Sequence, residues 1–80
     1  MPKTTTATMH ETLQELLVSL RTEAALRQVD LAERLGKPQS FVSKYESGER
    51  RLDLIELHAV CKALDISVVT LAQRFEKALK

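Results

Sequence analysis

Eighty residues carrying a net charge of +1 are enough for one domain and too few for two. The single cysteine, Cys61, excludes a disulfide framework, no apolar run approaches the ~20 residues of a membrane span, and no charged-then-apolar signal pattern opens the chain. These features predict a soluble, cytoplasmic protein whose marginal monomer stability is raised by helix packing or dimerisation.

Residues 1–8 read as a polar, flexible tail, which could act as an arm on nucleic acid with Lys3 as its only cation. Thr8 and Glu11 form a T-x-x-E capping pattern. Behind it, Leu13, Leu16, Leu17 and Leu20 recur at helical spacing and predict a first helix over about Met9–Glu23. A second helix follows Ala24–Arg27, turns Leu31, Ala32 and Leu35 inward, and stops at Gly36. Pro38 is tolerated at a helix start, so a third helix spans about Gln39–Ser47, with Gly48 suited to a left-handed cap. After the basic loop Glu49-Arg50-Arg51-Leu52, Asp53 and Glu56 repeat the capping pattern for a fourth helix. Its predicted core stripe is Leu54, Leu57, Val60, Cys61 and Leu64. Ser67 caps a fifth helix, apolar at Val68, Val69, Leu71, Ala72, Phe75 and Leu79. With no strand-like alternation, the predicted fold is all-α, a single five-helix domain over residues 9–80.

The chemistry concentrates in the middle. Residues 34–51 sum to +3 through Arg34, Lys37, Lys44, Arg50 and Arg51, whereas residues 1–33 sum to −2. A basic segment is what phosphate contact requires, although a solvated face would read the same. Ala32 is small enough for two helices to cross closely, Gly36 serves the turn, and Val42 is the apolar wedge of the third helix. With Val42 inward, the 100° step sends Ser40, Lys44 and Ser47 outward. Small polar groups around a lysine suit a helix lying in the major groove; a merely solvated helix more often carries Glu and Gln. The same projection turns Glu46 inward, and Arg21 shares the inner stripe of the first helix. Opposite inward charges predict a structural ion pair between them.

Other candidates carry less. His58 and Cys61 share one helix face, but two ligands are too few for a metal site. Tyr45 reads as core, while Phe41 either packs on the scaffold or meets a thymine methyl and sugar. Neither His10 nor His58 has a nucleophile partner, so no enzyme activity, cofactor or metal is predicted. The fifth helix is more apolar than one face of a small domain needs. Either it folds wholly onto its own core or it supplies a two-fold dimer interface through Val69, Ala72, Phe75 and Leu79, setting two reading helices about one DNA turn (~34 Å) apart.

Gln28-Val-Asp-Leu-Ala-Glu-Arg-Leu-Gly36, followed by Gln39-Ser-Phe-Val-Ser-Lys-Tyr-Glu-Ser-Gly48, resembles the XRE, or Cro/CI, helix-turn-helix family of bacterial and phage regulators. The resemblance covers about residues 13–72 and implies a lambda-repressor-like DNA-binding domain, with helices two and three as the helix-turn-helix. It implies base reading by Gln39, Ser40, Ser43 and Lys44, with Gln39 suited to adenine and Lys44 to guanine. Gln28, Arg27, Lys37, Ser47, Arg50 and Arg51 would meet phosphates, with Gln28 also buttressing Gln39. An ion pair matching Arg21–Glu46 belongs to the lambdoid repressors as well. The chain departs from the family at Arg27, where Ser or Thr is usual, at Ala25 and Asp65, where glycine is usual, and at Pro38, where Ser is usual. The implied function is a homodimeric repressor of a palindromic double-stranded DNA operator, on the nucleoid of a bacterium or for a phage. An antitoxin with a toxin partner, a restriction–modification controller, and a protein-interaction module that no longer binds DNA are the alternatives.

Overall fold

In the computed structural model, which describes residues 5–79, helices follow one another without strands: α1 (Thr6–Glu23), α2 (Gln28–Leu35), α3 (Gln39–Ser47), α4 (Leu54–Ala63) and α5 (Val68–Ala78). The all-α, five-helix expectation is the observed architecture among these residues. Residues 1–4, most of the expected tail and including Lys3, lie outside the described residues, as does Lys80.

The start of α1 corrects the tail boundary. Thr5, not Thr8, caps the helix: its hydroxyl accepts the Thr8 N–H at 3.2 Å. The Thr8 hydroxyl donates back to the Thr5 carbonyl at 2.9 Å, so Thr8 lies inside the first turn. Any threonine of this run can cap, and the earlier cap gains an extra turn of backbone hydrogen bonds. At α4 the reading of Asp53 and Glu56 as a capping box matches the structure, each side chain accepting the other's backbone N–H. Ser67 likewise caps α5 by accepting the Thr70 N–H at 3.0 Å.

Three helices end in the same closure. The N–H of Leu26, Lys37 and Ile66 each donates five residues back, to the carbonyls of Arg21, Ala32 and Cys61. Each closure needs a left-handed residue just before it. Gly36 fills one at φ 66°, but Ala25 and Asp65 fill the others at φ 60° and 64°. An L-side chain in this region costs about 1–2 kcal/mol, less for Asp, whose side chain can hydrogen-bond locally.

The core is built where α3 packs on α1 and α2, while α4 packs on α2, and α5 closes against α1 and α4. Leu17, Leu20, Leu31, Ala32, Val42, Tyr45, Val60, Cys61, Leu64 and Leu71 are buried in it. Two polar straps cross the outside: Arg34 donates to the Ala63 carbonyl at the end of α4, and Arg74 pairs with Glu23 to hold α5 to α1. The predicted stripe of α4 is corrected at its first residue. Leu54 is 66% exposed and its neighbour Ile55 78%. Burial along α4 begins a turn later, at half-buried Leu57 and buried Val60. In α5 only Leu71 is fully buried; Val68, Phe75 and Leu79 are half-buried, and Val69 and Ala72 are exposed.

Candidate nucleic-acid interface

The outward face of α3 is set by two small or wedge-shaped residues. Ala32 in α2 and Val42 in α3 are both buried, which brings the two helix backbones together and turns the opposite side of α3 to solvent. Gln39, Ser40, Ser43, Lys44 and Ser47 all lie on exposed positions. Ser47 donates its hydroxyl to the Lys44 carbonyl at 3.1 Å, within the last turn of α3. Lys44 has no ion-pair partner among the described residues.

A chain of charged and amide groups runs from the core to this face. Arg21 Nε and Nη2 donate to Glu46 Oε2 and Oε1 at 2.8 and 3.0 Å, and Arg21 Nη1 donates to the Leu26 carbonyl at 2.8 Å. Glu46 keeps only 5% of its side chain exposed and Arg21 15%. The Glu46 carboxylate holds the Arg21 guanidinium above its ordinary pKa, outweighing the opposing effect of burial. Glu46 Oε1 also accepts from Gln28 Nε2 at 2.9 Å, and Gln28 Oε1 accepts from Gln39 Nε2 at 3.2 Å. The first residue of α2 and the first of α3 are thus tied to each other and to a pair anchored on α1.

The helix-turn-helix family model matches residues 17–71 of this chain. The chain belongs to that family. Among solved structures it is similar to an XRE-family like protein from Pseudomonas syringae pv. tomato str. DC3000, with a TM-score of 0.84 and 39% identity over 92% of this chain and 90% of that one. Its likeness to the clp gene regulator ClgR from C. glutamicum has a TM-score of 0.78 at 25% identity, over 90% and 92% of the two chains. A tetramer of the restriction–modification controller protein C.Esp1396I, in complex with its natural 35 base-pair operator, shares the fold at a TM-score of 0.82 and 22% identity, over 89% and 93%. No curated protein sequence matches the chain. It is a DNA-binding transcriptional regulator of the XRE helix-turn-helix family.

Several cations of this XRE regulator have partners that sequence reasoning missed. Arg27 is 79% exposed, and its guanidinium grips Asp30 at 3.0 Å. Asp30 also accepts the Arg27 backbone N–H, supplying half of the cap that arginine cannot. This arrangement lowers the Asp30 pKa to about 2. Arg50 is bound through both terminal nitrogens to Glu56, at 2.6 and 3.1 Å. The capping role of Glu56 was legible in the sequence, but the carboxylate does both jobs, and Arg50 above all brings its pKa down to about 2. Phe41 stands edge-on to Tyr45 with ring centroids 5.7 Å apart, and carries the Arg50 guanidinium at 4.9 Å and the Lys37 ammonium at 5.6 Å from its own. Its half-buried ring is therefore packed on the scaffold and covered by cations. Arg51 is exposed and without an ion-pair partner among the described residues. The Tyr45 hydroxyl is buried without a hydrogen-bond partner, and burial pushes its pKa up.

Proposed function

We propose that this regulator binds double-stranded DNA sequence-specifically as a homodimeric repressor, laying α3 in the major groove of each half of a palindromic operator. The observation that carries the reading is the outer face of α3: exposed, free of large apolar side chains, with Lys44 in no ion pair among the described residues and Gln39 braced by Gln28. Such a face can approach base edges without steric bulk. Gln39, Ser40, Ser43 and Lys44 read bases, while Gln28, Lys37, Ser47 and Arg51 meet phosphates. Arg27 and Arg50 keep accessible guanidinium edges beside Asp30 and Glu56 and add to the phosphate grip. The same fold in C.Esp1396I, bound to its operator as a tetramer, supports a DNA-binding oligomer.

The dimer face of this reading is the most exposed apolar surface. Phe75 packs on its own core and Leu79 is half-buried, whereas Leu54, Ile55 and Val69 are exposed large hydrophobics. Val69 lines a groove of about 500 Å³ where α4 turns into α5, together with His58, Lys62, Ile66 and Val68. Exposure favours an isologous contact through these α4 and α5 residues, with Ala72, over one through Phe75 and Leu79. Selection of bound sites from a random duplex pool tests the whole reading. A palindromic consensus is expected; enrichment of no sequence, or of a lone half-site, overturns it.

A further inference from the structure

The amide chain from Glu46 to Gln39 has a direction. A carboxylate accepts hydrogen bonds and donates none, and Arg21 occupies both Glu46 oxygens with guanidinium N–H groups. The end of the Gln28 amide that faces Glu46 must therefore be its NH₂, as the 2.9 Å Nε2–Oε1 contact has it. That choice turns Gln28 Oε1 toward Gln39, and an oxygen there requires an N–H in return, supplied by Gln39 Nε2 at 3.2 Å. Gln39 is left with one free N–H and a free Oε1 on an exposed position. A donor and an acceptor side by side match the N7 and N6–H of adenine in the major groove. Guanine presents two acceptors there, N7 and O6, and calls for two donors. A reversed Gln28 would make Gln39 face it with oxygen and offer both N–H groups outward, the guanine pattern. The reversal is blocked because it sets the Gln28 oxygen against the Glu46 carboxylate.

We infer that Glu46, acting through Gln28, is a positioning residue that fixes the hydrogen-bond polarity of Gln39 and so makes adenine the base it reads. The inference rests on the proposal that α3 reads DNA. It differs from a structural role for Glu46, because it concerns which base is chosen rather than whether the helix stays in place. The substitution E46Q replaces the carboxylate with an amide of equal size. Arg21 Nε retains the oxygen at the Oε2 position and Nη2 loses its acceptor, while the NH₂ turned toward Gln28 allows the reversed chain. Q28A removes the relay and leaves the Arg21–Glu46 pair untouched.

The experiment is site selection from a random duplex pool with the full chain and its Q39A, E46Q and Q28A variants, each checked for native helix content. Q39A locates the operator position that depends on Gln39. The wild type is expected to prefer adenine over guanine there by about tenfold, within the range of a bidentate contact. In E46Q and Q28A the ratio falls to about twofold or less, while positions read by Lys44 keep their preference. A folded Q28A that retains the wild-type adenine preference overturns the inference, as does a wild-type preference for another base at that position. If E46Q does not fold, Q28A decides alone. A pool from which the wild type enriches nothing overturns the DNA-reading itself, a failure distinct from the other two.

Discussion

Ala25 holds the sharpest local conflict among the described residues, an alanine at φ 60° where α1 closes. Glycine there removes about 1–2 kcal/mol of strain and returns part of it as unfolded-state entropy. Ala25→Gly is expected to raise unfolding free energy by about 0.5–1 kcal/mol in urea titrations, and Asp65→Gly by less; a loss of stability in both would refute the strain. Glu46 stands at the opposite extreme, fully used by three donors' worth of hydrogen bonds from Arg21 and Gln28. Glu46→Ala strands the Arg21 guanidinium and should cost about 3–5 kcal/mol of stability. On the outer face of α3, proposed to read bases, Lys44→Ala should cost about 1–3 kcal/mol of operator affinity and relax one base position. Arg51→Ala should instead weaken operator and random DNA alike and lower the salt slope by about one. Equal losses on both DNAs for both variants would remove the division between base and phosphate contacts.

At the scale of elements, the loop from α3 to α4 is held by one carboxylate. Glu56 accepts the Asp53 N–H and both prongs of Arg50, while Arg50 covers Phe41 on α3. Arg50→Ala therefore loosens the loop as well as removing a cation, so thermal stability and DNA affinity fall together. The same arrangement couples α4 to acid. Glu56 titrates at about 2 in the folded chain, against an ordinary 4.5, and Asp30 at about 2 against 3.8. The unfolded chain thus binds these protons first, so their stabilisation is complete above about pH 5 and is lost as pH falls toward 2. Both groups are solvent-screened, and the effect is correspondingly modest. Urea midpoints measured from pH 6 to 2 should fall less steeply for Glu56→Gln and Asp30→Asn than for the wild type. Parallel curves would show that these pairs do not contribute.

For the whole molecule, the most exposed large hydrophobics among the described residues lie on α4 and α5. Ile55 and Val69 contribute little to the protomer core, being 78% and 66% exposed, whereas Phe75 packs against the core. Ile55→Asp and Val69→Asp are expected to sediment as folded monomers and to bind operator more weakly. Phe75→Asp should lower stability instead. A dimer that survives both substitutions on α4 and α5 would place the two-fold contact elsewhere. The Arg74–Glu23 pair ties α5 to α1, on which α3 also packs, so the proposed dimer surface and the proposed reading helix share one framework.

Much of this architecture was legible without coordinates because helix rules are local. Periodicity placed α2 to α5, Asp53 and Ser67 announced their caps, and the 100° step turned Val42 inward and Lys44 outward. The start of α1 is local too, yet a run of threonines offers several equivalent caps, and only the hydrogen bonds of Thr5 choose one. Partnerships are different. Glu46 meets an arginine 25 residues away and a glutamine 18 away, Arg50 finds Glu56 across a loop, and Leu54 is left uncovered at the start of its helix. Those outcomes depend on how whole helices are placed against one another. The sequence by itself determined the helices and the face that α3 turns outward; the packing of α1, α2 and α3 decided which groups hold that face and in which hydrogen-bonding sense.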